Sequence, residues 1–282
     1  MTKMKSHALS TFKYLFLSIV SLISIFPLYW MLVATTNHSV DITRGRLFFG
    51  SALIENFRSL LGSDLMFGTA FRNSVIISIV TVILAMLTSS AAGYAFVIYK
   101  SRGKDALFKA ILLSMMVPFA ALMVPLFSLF GRFSNMGPLS FIALNTPMSV
   151  VIISIATAFL IFFFRQNAMS FPKELVEAAR IDGLGEFPIF VRVFVPTMKS
   201  CYAAAIIVTF MASWNAYMWP LITLRTPEQR TLPLVVAALG SSYNPDFGMI
   251  MLAVFLTTLP TVILFFVMQK HFVAGMMGSV KG

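Results

Sequence analysis

Six stretches of this chain contain no Asp, Glu, Lys or Arg: Tyr14 to Val40, Asn73 to Tyr99, Ala110 to Gly131, Phe133 to Phe164, Ser200 to Leu224 and Phe247 to Gln269. Each is long enough to cross a hydrocarbon core about 30 Å thick, which takes roughly 20 helical residues. A transmembrane barrel would need short segments of alternating polarity. Runs such as Val150 to Phe164 do not alternate. The pattern predicts an all-α polytopic membrane protein with six transmembrane helices, at residues 13–35, 72–99, 106–131, 144–165, 200–222 and 248–269. Composition agrees, with 59% hydrophobic and 11% charged residues, against about 25% charged in soluble domains. The apolar runs are spread along the whole chain, so residues 1–282 read as one membrane domain.

The net charge of +11 does not signal nucleic-acid binding, because the basic residues cluster at span ends rather than on one soluble face. With a cytoplasmic N-terminus, the inner segments hold 14 Lys/Arg and the outer ones 7. That excess is the expected bias for topology, and it predicts that both termini face the cytoplasm. The apolar stretch Tyr14 to Val33 is longer than a secretory h-region, and no A-x-A-like site closes it, so it reads as the first span. The single cysteine, Cys201, excludes an internal disulfide and a cysteine metal cluster. It reads as a small apolar residue at the start of span five.

The first external loop, Thr36 to Phe71, is expected to hold short interfacial helices, one around Leu53 to Leu61. Asn135, Gly137 and Pro138 mark a turn after span three. Prolines inside apolar spans are tolerated when neighbours re-satisfy the freed carbonyls. Pro118 and Pro125 are expected to kink span three.

Residues 166–199, between spans four and five, carry the most information. Pro172 suits the first turn of a helix, and Lys173 to Arg180 are good helix formers. Leu175 and Ala179 share a face with Val176 beside them, while Glu174 and Glu177 lie on a polar side. Gly183 permits a sharp reversal. Pro188 can open a second short helix and Pro196 can end it. The segment reads as a helix–turn–helix knob without enzyme chemistry, which is the character of a docking surface.

Glu177-Ala178-Ala179, then Gly183, then Val193-Phe194-Val195-Pro196, resembles the E-A-A motif of binding-protein-dependent ABC importer permeases, E-A-A-x3-G-x9-I-x-L-P. Val193 and Val195 stand where that pattern has Ile and Leu. Asn73-Ser74, Gly93-Tyr94-Ala95-Phe96, Pro118, Pro125, Trp214-Asn215, Trp219-Pro220-Leu221 and Val280-Lys281-Gly282 extend the likeness over most of the chain after residue 70. They are similar to the carbohydrate branch, near the second maltose-type and the arabinose- and lactose-type permeases. The resemblance implies import of a sugar or oligosaccharide at the bacterial plasma (inner) membrane. It implies a second homologous permease, two ATPase subunits that bind ATP and Mg, and an extracytoplasmic sugar-binding protein as partners. The knob would be the coupling helix, with Glu174, Glu177, Ala178, Ala179, Asp182, Gly183 and Pro196 as ATPase-coupling residues. Gly275, Ser279, Val280, Lys281 and Gly282, in the tail 270–282, would reach the ATPase pair. A polyol or glycerol phosphodiester is the alternative cargo.

What is missing points the same way. No G-x-x-x-x-G-K-[ST] loop is present, so the chain has no such device for ATP. No charged residue lies well inside a span, whereas ion-coupled transporters keep ionisable residues there. That argues against a secondary transporter working alone. There is no H-E-x-x-H and no nucleophile–base pair, so no catalytic or metal site is expected. A membrane scaffold using the knob as a binding module is the remaining rival. Hydroxyls inside spans, among them Thr81, Ser154, Thr157, Thr209 and Ser213, read by default as glue between helices. Asn215, with Trp214 and Tyr217, is the candidate lining of a sugar path. Trp214, Tyr217 and Trp219 fit an interfacial aromatic belt better. In the maltose-type family the sugar contacts lie mainly on the other permease.

Overall fold

The computed structural model describes residues 2–99 and 101–278, with side chains for 10–99 and 101–269. It is helical throughout, with no strand among the described residues. The helices are α1 (Thr2–Ala34), α2 (Ser39–Thr43), α3 (Leu53–Leu61), α4 (Phe67–Ile98), α5 (Lys104–Ser114), α6 (Phe119–Phe133), α7 (Pro147–Val151) and α8 (Ala158–Ala168). They continue as α9 (Glu174–Ile181), α10 (Glu186–Ile189), α11 (Val195–Thr197), α12 (Lys199–Trp214), α13 (Met218–Thr223), α14 (Leu232–Gly240) and α15 (Phe247–Gly278).

Four stretches cross a membrane by length and composition: Ser10–Ala34, Phe67–Ile98, Lys199–Thr223 and Phe247–Gln269. Two broken pairs pass the same test together, and the number reaches the expected six when each pair is counted as one span. Lys104–Ser114 with Phe119–Phe133 is bent by 100°, and Pro147–Ser154 with Ala158–Ala168 by 41°. The first bend sits at Pro118, which precedes α6 in an extended conformation. A proline lacks the N–H that would continue the helix and disfavours helical backbone before it. Pro125 stays inside α6, so of the two expected kinks the break belongs to Pro118.

The chain forms two compact units. One comprises residues 1–67 and 236–259, the other 68–235 and 260–282. In the first, two buried asparagines order the long loop. Asn37 donates to the Val33 and Phe48 carbonyls at 2.8 and 3.0 Å, and Asn56 donates to those of Thr35 and Asn37 at 2.9 and 3.1 Å. A Cβ on Gly248 would lie 2.6 Å from Asn56 Oδ1, so only glycine lets α15 approach. Asp246 Oδ1 accepts from the Gly248 and Met249 amides and from the Ser39 hydroxyl, capping α15 at the position side-chain acceptors favour. The short helix expected around Leu53 to Leu61 is α3, which buries Asn56 and Leu60.

In the second unit α4 runs through three apolar clusters. Ile77 packs with Phe130, Val150, Val151 and Trp219; Ala85 and Met86 with Leu160, Phe164, Cys201 and Ala205; Tyr94 with Phe171, Val176, Ile189 and Phe194. Cys201 is buried as a small apolar residue. At Gly93 an added Cβ would meet Phe164 Cβ at 2.6 Å and the Arg165 amide nitrogen at 2.8 Å, so α4 and α8 touch backbone to backbone there. Trp219 is buried and its indole donates to the Ser149 carbonyl at 2.9 Å. Trp214 is buried too, stacked on Phe210 with ring centroids 5.4 Å apart. Neither tryptophan belongs to an aromatic belt. Each buries its large ring against neighbouring helices, the stronger demand on so much apolar area.

Candidate coupling knob and mid-span cavity

Pro172 precedes α9 rather than opening it, and Lys173 stands at the N-cap position without a side-chain capping bond. The helix ends on a left-handed glycine: Gly183 has φ +82°, where a Cβ would be strained. The Leu184 amide donates to the Ala179 carbonyl and that of Gly183 to Arg180, each at 3.0 Å, the paired bonds of a Schellman turn. The chain then enters α10 at Glu186, two residues before Pro188. It runs through a π-helical turn, Phe190–Phe194, into α11. Pro196 therefore does not end the second helix. It sits inside α11, after a widened turn that relieves the proline's clash with the carbonyl four residues back.

The knob's inner side is apolar. Val176, Ala179, Ile189 and Phe194 are buried with Phe171 around the Tyr94 ring. This corrects two expectations. Ala179 faces inward and is buried, whereas Leu175, expected on the same face, is 42% exposed. Successive helical residues are offset by about 100°. With Val176 and Ala179 centring the buried stripe, Leu175 falls on its rim. Glu174, Glu177, Ala178, Asp182, Gly183 and Pro196 are all exposed. Two residues the sequence did not single out stand out among them: Ile181 at 87% and Phe187 at 76% exposed. Their apolar type within a charged segment was the available signal.

The two short helices are tied together and to α4. The Arg180 guanidinium donates to Glu186 Oε1 at 2.8 Å, and the Tyr99 hydroxyl to Glu186 Oε2 at 2.7 Å. Arg180 first, and then the Tyr99 hydroxyl, hold the Glu186 carboxyl below the usual carboxylate range. The same contact pushes the Arg180 pKa up.

Of the tail residues, Gly275 falls in the last part of α15, whose side chains are not described, and Ser279, Val280, Lys281 and Gly282 lie outside the described residues. Of the expected path residues, Tyr217 is 38% exposed and Trp214 is closed off by its ring contacts. The exposed Asn215 donates its amide to the Met211 carbonyl at 2.9 Å. None of the three borders the cavity of about 130 Å³ beside them. Ser213 and Ala216 do, together with Thr81 of α4, Ser154 and Thr157 at the α7–α8 break, and Thr209 of α12.

Comparison with known proteins fits this geometry. Residues 85–278 match the family model described as binding-protein-dependent transport system inner membrane component. The chain is 44% identical to the lactose transport system permease protein LacG of Rhizobium radiobacter, over 100% of both chains. It is 37% identical to the arabinooligosaccharides transport system permease protein AraQ of Halalkalibacterium halodurans, over 93% of each. It shares its fold, at a TM-score of 0.81 and 21% identity, with a chain of the crystal structure of a bacterial ABC transporter involved in the import of the acidic polysaccharide alginate, over 95% of this chain and 98% of that one. The chain is a multi-pass membrane permease subunit, not an enzyme, and it belongs to the family of binding-protein-dependent transport system inner membrane components.

Proposed function

We propose that this permease imports a sugar or oligosaccharide across the bacterial plasma membrane, and that the knob Pro172–Pro196 takes its driving force from an ATPase on another polypeptide. The relatives named for lactose and for arabinooligosaccharides support the cargo class. The observation that carries the coupling is the knob's two-sidedness. Its base is bound into the helix bundle, while Leu175, Ile181 and Phe187 point outward beside Glu174, Glu177 and Asp182. Apolar side chains exposed among charges are what an interface core with a polar rim looks like from one side. In this reading the knob and both termini are cytoplasmic, where two ATPase subunits bind ATP and Mg. A second, related permease completes the pathway, and an extracytoplasmic protein delivers the sugar.

Mechanically, the knob converts a soluble motion into a movement of packed helices. A push on Ile181 and Phe187 is carried through the Arg180–Glu186–Tyr99 contacts and the Tyr94 cluster to the end of α4. Packed interfaces shift between discrete arrangements rather than deforming smoothly, so closing the ATPase pair would reverse the access of the path.

The test is ATP hydrolysis by the assembled complex, screened with sugars and the binding protein. Wild type is expected to hydrolyse ATP faster with its sugar. Glu177→Lys and Gly183→Val are expected to reach the membrane and lose the coupling between hydrolysis and uptake. Normal uptake by both variants would sink the coupling role of the knob.

A further inference from the structure

A second and larger cavity, of about 430 Å³, is an open groove at the knob's end of α4. Its walls come from Ala92, Ala95 and Phe96 of α4, Leu107 and Ile111 of α5, and Ile161 of α8. The surface it offers is wholly apolar. Tyr99 lines it as well, and the Tyr99 hydroxyl is the donor that holds Glu186 of the knob at 2.7 Å. The groove is open along one side, where Leu107 is 59% exposed.

The chain that closes one end of this groove is basic. The span ends at Ile98. Residues 100–109 then hold Lys100, Arg102, Lys104 and Lys109 against a single acid, Asp105. Lys104 lines the groove with its carbon stem, while its ammonium donates to the Phe96 and Tyr99 carbonyls at 3.2 and 3.0 Å. An ammonium has three donors, so one is left over. Neither Lys104 nor the exposed Arg102 takes part in an ion pair among the described residues. A slot suited to hydrocarbon therefore ends at two cations without a counter-carboxylate, at the depth where an apolar span gives way to polar chain. Sugars and peptides need hydrogen-bond partners that apolar walls do not offer. An acyl chain needs none, and basic pockets between membrane helices are where anionic lipid headgroups bind.

We propose that the groove between α4, α5 and α8 is a binding site for an anionic phospholipid, with an acyl chain in the apolar slot and the phosphate held by Lys104 and Arg102. The bilayer itself supplies the ligand, since the groove opens sideways from helices that cross it. The third Lys104 N–H and the Arg102 guanidinium both suit phosphate oxygens, bonds in which both partners are charged and so stronger than neutral ones. Through Tyr99 the bound chain rests against the residue that ties α4 to the knob. The site requires only a multi-pass membrane permease and is independent of which cargo the transporter carries.

The experiment titrates the complete purified transporter in detergent with phosphatidylglycerol or with the zwitterionic phosphatidylcholine, and measures the affinity of the most tightly held lipid by native mass spectrometry. Wild type is expected to prefer phosphatidylglycerol. Arg102→Ala, at an exposed position, should weaken that binding about five-fold, and Arg102→Ala with Lys104→Ala about twenty-five-fold. Lys104→Arg keeps the charge and should bind as wild type does. Ala92→Phe fills the slot and should weaken both lipids. Lys199→Ala removes an exposed cation that does not line the groove and should change neither. If the two lipids bind wild type equally, or Arg102→Ala and the double variant keep wild-type affinity, the cations hold no headgroup and the proposal is overturned. If Ala92→Phe holds phosphatidylglycerol as tightly as wild type, no chain occupies the slot and the proposal is again overturned. A photo-reactive benzophenone amino acid in place of Leu107 should label lipid in the membrane. Labelling of another subunit in its place would make the groove a protein interface and overturn the lipid assignment. Uptake is not the readout, so a failure of the sugar-import reading leaves this test intact.

Discussion

At the knob, apolar side chains face outward from a segment rich in charge; in the mid-span cavity, hydroxyls face inward from segments that carry none. Ile181 and Phe187 are exposed beside Glu177, Asp182 and Glu186. Thr81 and Thr209 are buried without partners among the described residues, in stretches that carry no charge. Each region reverses the rule that governs its surroundings. Exposed apolar surface and unpaired buried polar groups both raise the free energy of the isolated chain. Such costs persist where something outside the chain relieves them. For the knob, the proposed coupling role supplies a protein surface.

The comparison can be broken first at the knob, where base and tip should answer differently to the same chemistry. Val176 is 1% exposed in the Tyr94 cluster. An aspartate there leaves an uncompensated buried charge, worth about 3–5 kcal/mol, so Val176→Asp should prevent recovery of an assembled complex in detergent. Ile181→Asp places the same group at an 87% exposed position. It should change stability by no more than about 0.5 kcal/mol. Its effect should fall on docking, where loss of an apolar anchor costs about 2 kcal/mol or more, roughly a thirty-fold weaker association. Titration of the purified ATPase onto the variant would measure it. Equal stability losses at the two positions would mean that the tip is part of the core, not a contact surface.

A smaller effect, of opposite sign, tests the cavity. Removing a bonded hydroxyl destabilises a protein, whereas replacing an unpartnered one by a methyl group is neutral or favourable. Thr81→Val and Thr209→Val should therefore raise thermal stability by up to about 1 kcal/mol each. Thr223→Val, which loses the bond to Trp219, should lower stability by about 1 kcal/mol. A drop in melting temperature for Thr81→Val would place that hydroxyl among the structural glue.

The two regions were unequally legible in the sequence. The knob carries local grammar: Gly183 needs left-handed backbone, and the Glu and Ala positions set a helix face. The apolar stretches of the spans were equally plain, because charge-free runs depend on composition and not on packing. What stayed hidden depends on neighbours distant in sequence. An in-span threonine looks the same whether its hydroxyl bonds its own helix, as at Thr223, or nothing, as at Thr81 and Thr209. Trp214 and Trp219 read as belt residues because buried rings and interfacial rings share one composition near a span end. α14 was missed because nine apolar residues are too few to span and stood among loop signals. The inward turn of Ala179 and outward turn of Leu175 hinged on which of two adjacent stripes met the Tyr94 ring.

The smallest effect concerns how the knob's tip is held, and pH reaches it. Glu186 accepts from Arg180 and Tyr99, and these bonds hold its carboxyl below the usual carboxylate range. A group whose folded pKa is depressed contributes stability above its unfolded value, about 4.3 for glutamate. That contribution disappears as pH falls through the lower folded value. The tie between α9, α10 and the end of α4 should therefore be constant from neutral pH down to about 5 and weaken only below roughly 4. Because the Arg180–Glu186 pair is 42% and 45% exposed, solvent screens it and the change will be slight. Hydrogen exchange at the amides of residues 182–190 is the suitable readout, since it senses local opening without global unfolding. Wild type should exchange faster at acid pH, after correction for the intrinsic rate, and Glu186→Gln should exchange at the faster level at every pH. If that variant is as protected as wild type at neutral pH, Glu186 does not hold the tip. The Schellman turn at Gly183 and the buried side of α9 would then hold the tip alone.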